Sequence, residues 1–162
     1  MSATMPIKLS EKTFFGQPRP LVTIFGVEMW ERFSFYGMQG ILLLYMFYPV
    51  SQGGLGIPQP IAVGIIGAYG GSVYLATIAG AWLADRIFGS ERVLFYAAIL
   101  VMFGHIALAV LPAYTGLTVG LLTIALGAGG VKSNATSVVG QLYAPGDIRR
   151  DAGFSLYYLG IN

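Results

Sequence analysis

Two glutamates and an arginine, Glu28, Glu31 and Arg32, stand within about one helical turn of one another, and a single lysine, Lys132, follows much later in the chain. These residue types suit the handling of protons and anions. A carboxylate takes up and releases a proton, and a guanidinium or ammonium holds a carboxylate. At about 100° per residue, Glu28, Glu31, Arg32, Phe35, Tyr36 and Gln39 share one side of a helix, with Trp30, Phe33 and Gly37 on the other. Counting from Leu21, Glu28 to Arg32 lie ~10–17 Å along that helix, and Lys132 lies ~12 Å from the end of its own helix near Gly140, so the two sets fall at matching depth. Their formal charges sum to zero. If one glutamate takes a proton, the site becomes net positive and favours an anionic group, so protonation and carboxylate binding reinforce each other.

The elements that must carry these charges belong to a membrane. The 162 residues are 56% hydrophobic and 10% charged, against about a quarter charged in a soluble domain. Four apolar runs are each long enough to cross a hydrocarbon core of ~30 Å, and they are too continuous for barrel strands. The expected fold is an all-α membrane protein: a basic N-terminus over residues 1–19, then a partial bundle over 20–162. Its helices are expected at 21–48, 61–87, 93–111 and 117–139, with the start of a fifth at 152–162. Pro49 and Pro112 stop the first and third.

Lys8, Lys12, Arg19, Arg86, Arg92, Arg149 and Arg150 all fall in the N-terminus and the loops after helices two and four. The positive-inside rule therefore makes the N-terminus cytoplasmic. Outside those segments the charged residues are Glu28, Glu31, Arg32 and Lys132, and ionisable groups at membrane depth generally face a cavity or each other. A structural ion pair pinning two helices is the plainer alternative, but two acids and two cations exceed what a pin requires. The small residues on the Lys132 face (Ala125, Ala128, Gly129, Ala135, Thr136) are expected to leave room for a ligand, and Gly127, Gly130 and Asn134 opposite to pack closely. Gly64, Gly67 and Gly71 give helix two a small-residue spacing for tight contact, with Tyr74 at the edge of that face. His105 reads as a packing residue. With no cysteine and one histidine, neither a thiolate site nor a protein-only zinc site is expected, and the first apolar stretch does not read as a cleavable signal.

At this point the residues match a known pattern. Glu28 to Gly37 (EMWERFSFYG) resembles the ExxERFxYYG signature of the proton-dependent oligopeptide transporter (POT) family. Gly80 to Arg92 resembles the loop between helices two and three of the major facilitator superfamily, Gly127 to Asn134 (GAGGVKSN) the family's fourth-helix lysine segment, and Phe154 to Asn162 (FSLYYLGIN) the start of its fifth-helix motif. The resemblance implies proton coupling by Glu28, Glu31, Arg32 and Lys132. It implies substrate contacts from Arg32, Tyr36, Tyr74, Lys132 and Asn162, and a gating role for Asp85 and Arg86. Phe35 departs from the family's usual tyrosine, and Gln39 stands where an arginine is common.

The implied function is symport of di- and tripeptides with protons, with no resident cofactor, no metal, no nucleic-acid partner and no enzymatic activity. The implied setting is the plasma (inner) membrane, spanned several times. A family member carrying nitrate or another small anion is the alternative, and a helical membrane adaptor is the alternative from another class. Carriers of this superfamily place their site between two six-helix halves. The sequence thus reads as an N-terminal fragment, expected to need the C-terminal helices and to show no transport alone.

Overall fold

The computed structural model describes residues 14–162; Lys8 and Lys12 lie outside the described residues. Five helices follow one another: α1 (Pro20–Phe47), α2 (Gln59–Leu83), α3 (Ser90–Val110), α4 (Ala113–Gln141) and α5 (Arg150–Ile161). A single 3₁₀ turn, Val50–Gln52, lies between α1 and α2. No named strand occurs among the described residues.

Prolines set several of these limits, as a residue without an N–H fits the first turn of a helix. Pro20 and Pro60 occupy the first turns of α1 and α2. The short charged loop expected from Gly89 to Arg92 reduces to Gly89 itself. Helix α2 passes directly into a π-helical turn, Ala84–Phe88, and Gly89, at φ +80°, reverses the chain into α3. That left-handed conformation is open to glycine without steric cost. Between α4 and α5, Asp147 accepts from the Arg149 backbone N–H (2.9 Å) and from its guanidinium (2.7 and 3.1 Å). These bonds hold the Asp147 carboxyl down at about 2, so the pair persists through the ordinary carboxylate range and is lost only as pH falls through that lower value.

Among the described residues, three helical segments combine the length and apolarity needed to cross a membrane: Gln59–Phe88, Ser90–Val110 and Ala113–Gln141. Helix α1, at 28 residues, is long enough at ~42 Å, but Glu28, Glu31 and Arg32 interrupt its apolar middle. The four equivalent spans expected from the sequence are therefore three apolar helices and one that carries charge.

Helix α4 is the centre of the bundle, packed along α3 on one side and α2 on another, while α1 pairs chiefly with α5. The α2–α4 seam is close because side chains are nearly absent from it. A Cβ on Gly129 would lie 2.5 Å from the Ala76 methyl, and one on Gly80 would lie 2.8 Å from Gly130 Cα. Asn134, buried in this seam, donates to the Gly80 carbonyl across the helices at 3.3 Å and to Gly130 O in its own helix at 2.9 Å. Gly127 and Gly130 meet Ala97 of α3.

Two expectations are corrected here. Ala125, Ala128, Gly129 and Ala135 are buried packing residues, so they do not open space around Lys132. Gly64, Gly67 and Gly71 meet nothing within 4 Å among the described residues; the tight contact of α2 is made through Ala76 and Gly80. A leucine at position 129 must push α2 and α4 apart, costing roughly 1–3 kcal/mol as overpacking does. Gly129→Leu is therefore expected to lower the melting temperature of the detergent-purified protein, with Gly67→Leu leaving it unchanged. Equal melting of the two variants would contradict this seam.

Candidate functional site

The buried stripe of α1 runs Leu21, Ile24, Glu28, Glu31, Met38, Leu42, Met46, at helical spacing that turns one face inward. The two acids therefore take core positions and are 3% and 7% exposed. A buried charge is tolerated only when paired or hydrogen-bonded, and each acid has its own answer. Glu31 Oε2 accepts from Arg32 Nε at 2.6 Å, and Arg32 Nη2 stands at the same distance from it as an ion pair. The Arg32 guanidinium also lies 5.2 Å from the centre of the Phe35 ring, a favourable cation–π distance. Phe35 in turn stands 6.0 Å from the ring of Tyr69 on α2. Phe35 thus packs between the guanidinium and that ring.

Glu28 is satisfied from another helix. The Tyr157 hydroxyl of α5 donates to Glu28 Oε1 at 3.0 Å, and Thr136 Oγ1 of α4 lies 3.5 Å from that hydroxyl. Tyr157 is 1% exposed. Sequence reasoning passed over it, although one signal was available. Gly153, Tyr157 and Gly160 form a stripe at spacings of four and three, and all three are buried; a tyrosine between two glycines on such a stripe has its hydroxyl directed into the bundle.

Lys132 is exposed on α4. Its Nζ sits 4.2 Å above the ring of Tyr74, and its charge acts on both Glu28 and Glu31. It forms no ion pair within 4.0 Å among the described residues. Tyr36 and Tyr74 are 65% and 64% exposed. Tyr36 therefore does not share the burial of Glu28 and Glu31, since it stands at the edge of the stripe, where α1 turns outward. Asn162 folds its amide back onto Tyr158 O at 2.9 Å. Asp85 and Arg86 are exposed and lie in the π-helical turn that continues α2, not in a loop. The structure thus gathers Glu28, Glu31, Arg32 and Lys132 with Tyr74, and leaves Asp85 and Arg86 in a separate turn.

His105 donates from Nδ1 to the Val101 carbonyl at 2.8 Å. Its buried Nε2 has no partner among the described residues. It lines an apolar groove of ≈ 740 Å³ between α1 and α3, together with Glu31 and Ser34.

The family model described as the POT family matches residues 91–162, the stretch that holds Lys132 and α5. The uncharacterized transporter YclF of Bacillus subtilis is 50% identical over 152 residues, covering 94% of this chain and 31% of that protein. A di-/tripeptide transporter of Lactococcus lactis subsp. lactis is 48% identical over 155 residues, with 94% and 31% covered. The chain belongs to the POT family. A crystal structure of a peptide transporter POT in complex with sulfate superposes with a TM-score of 0.89 at 52% identity, covering 93% of this POT chain and 30% of that one. This chain therefore spans about a third of the length of the relatives it matches, and its helices have the arrangement of a multi-pass membrane transporter.

The pairing of Glu31 gives a test in a protein that carries residues 1–162 followed by the downstream helices of such relatives, called the family-length transporter below. Arg32→Ala leaves the Glu31 carboxylate buried without its cation. The loss is expected to be below the ~3–5 kcal/mol of a fully buried pair, since Arg32 is itself only partly buried. The destabilisation should be full at neutral pH and shrink as the medium is acidified, because a protonated Glu31 no longer needs the cation. Thermal melting at a series of pH values checks this; a loss independent of pH would mean that Arg32 matters for its packing alone.

Proposed function

We propose that this chain supplies the proton-coupling and carboxylate-binding side of a symporter that carries di- and tripeptides together with protons. The observation that carries the reading is the Lys132 ammonium held over the Tyr74 ring on an exposed face, next to two buried acids and a single partly buried guanidinium. An ammonium without an ion-pair partner attracts a carboxylate, and the acids provide proton acceptors within its field. Peptides fit this arrangement because they always present a terminal carboxylate. The relative from Lactococcus lactis is named a di-/tripeptide transporter, which supports the same substrate class.

In this reading Arg32 and Lys132 receive the peptide carboxylate, with Tyr36, Tyr74 and Asn162 along the peptide. Glu28 and Glu31 take and release the coupling proton. When one of them is protonated, the four-residue cluster gains a net positive charge and binds the carboxylate more strongly. Uptake of a proton and of a peptide therefore favour each other. The counterpart for the peptide's amino end is assigned to helices beyond this chain, and no resident cofactor is needed.

Orientation follows from the arginines. Arg19, Arg86, Arg92, Arg149 and Arg150 stand at the start of α1, at the α2–α3 junction and at the α4–α5 loop. Two contacts tie these ends together: Tyr143 donates to Gln17 at 3.0 Å, and Ser90 Oγ lies 3.2 Å from Ser137 Oγ. The opposite end joins at Leu55, whose carbonyl accepts from Tyr114 at 3.4 Å. With the arginine-bearing end cytoplasmic, Asp85 and Arg86 face the inner mouth of the plasma-membrane carrier and gate it.

The family-length transporter in liposomes is expected to accumulate a labelled dipeptide under an inward proton gradient and to lose that accumulation with an ionophore. Glu31→Gln should cut uphill uptake by about tenfold or more, the scale of a lost proton-transfer group, with exchange of labelled for unlabelled peptide reduced far less. Residues 1–162 alone should give no accumulation. Nitrate uptake in place of dipeptide uptake would assign the chain to a small-anion carrier instead.

A further inference from the structure

Tyr157 is held with unusual completeness for a residue with a polar tip. Gly160 lets the Phe25 ring of α1 lie against the α5 backbone, where a Cβ would come within 2.8 Å of it, and Gly153 similarly receives the Tyr143 side chain. The ring of Tyr157 sits in a core made with Leu21, Ile24, Val131, Ala135 and Val139. Only its hydroxyl leaves that core, toward Glu28 and Thr136.

The chemistry of the three groups sets a direction. An ionised carboxylate only accepts, so Tyr157 donates its single proton to Glu28 Oε1. The phenolic oxygen is then free to accept, and Thr136 Oγ1 is the donor at hand. The chain of bonds runs Thr136 to Tyr157 to Glu28, with every donor aimed at the carboxylate. Thr136 is exposed and stands one helical turn from Lys132. The line therefore leads from the most buried acid to the face that carries the free ammonium.

The two acids differ in this respect. Glu31 has Arg32 in contact, whereas Glu28 forms no ion pair within 4.0 Å among the described residues. The charged and titratable groups around Glu28 are Glu31 and Arg32 on its own helix, Lys132 from α4 and Tyr157 from α5; from α2, Tyr69 acts on the adjacent Glu31–Arg32 pair. Of these, the Tyr157 hydroxyl is the group in hydrogen-bond contact with Glu28. If Glu28 takes a proton on Oε1, it becomes a donor there. Tyr157 must then accept from it and turn its own proton toward Thr136, which reverses the line. No bond to carbon forms or breaks, and the added proton comes from the coupling ion.

We propose that Tyr157 is a positioning residue for Glu28: its hydroxyl favours the ionised carboxylate and, through Thr136, conveys the protonation state of Glu28 to the Lys132 face. This rests on the symport reading only where uptake is the measurement. Hydrogen bonds to charged groups amount to about one to two pH units of preference for the bonded form.

In the family-length transporter, Tyr157→Phe keeps the ring and removes the hydroxyl. Its peptide uptake, scaled to its own maximum, should follow a pH profile moved by about one unit toward alkaline pH. Thr136→Val, which leaves Tyr157 in place, should move it in the same direction by less. A role in packing alone would lower uptake equally at every pH, and an unmoved profile in both variants would overturn the proposal. Infrared titration of the protonated-carboxyl band in the purified transporter needs no substrate and separates this proposal from the assignment of function. The band should appear at higher pH in Tyr157→Phe than in the parent, and that difference should vanish when Glu28→Gln is added to both. A band that titrates identically in parent and variant overturns the proposal whether or not peptides are carried.

Discussion

A carboxylate inside a membrane helix must be answered by something, and two of them three residues apart must be answered twice. Glu28 and Glu31 sit in the inward stripe of α1 between leucine, isoleucine and methionine positions, where an unpaired charge costs several kcal/mol. The answers arrive by different routes. Arg32 binds Glu31 from within the same helix, while Tyr157 reaches Glu28 from α5. The location of α5 against α1, the glycines that permit that approach and the seat of Lys132 on α4 all follow from satisfying this pair.

The second constraint is geometric. Helices in lipid gain little from burying apolar surface against one another, so they associate through close backbone approach and a few polar contacts. Helix α4 does both, with Gly127, Gly129 and Gly130 against its neighbours and Asn134 bonded to the Gly80 carbonyl. That rigid seam presents Lys132 and Thr136 from a fixed base. Tyr74, two residues from Ala76 in the same seam, is carried to the ammonium by the contact that locks α2 to α4.

The residues that carry charge were legible in the sequence because charge is rare in this chain and its spacing is informative. Glu28, Glu31 and Arg32 announce a polar stripe, and the POT signature around them names the family. What the sequence did not disclose is which way each apolar helix faces. Helix α2 is apolar nearly all round, so nothing in its pattern says that Gly64, Gly67 and Gly71 look outward while Ala76 and Gly80 make the contact. The alanines and Gly129 near Lys132 were open to two readings for the same reason, since small residues suit both a cavity and a tight seam. Tyr157 escaped notice because a tyrosine in a membrane helix commonly belongs to the interface, and its partner lies 129 residues earlier in the chain.

That sequence distance has a consequence for the order in which the protein is made. As α1 enters the bilayer, Arg32 can neutralise Glu31 immediately, because the two are neighbours in the chain. Glu28 has no such companion in contact, and its carboxylate is costly in hydrocarbon until α4 delivers the Lys132 charge and α5 the Tyr157 hydrogen bond. The first helix is therefore a provisional occupant of the membrane, dependent for its comfort there on residues the ribosome has yet to reach. Assembly is drawn in one direction, since each later helix that docks relieves a debt left by the first.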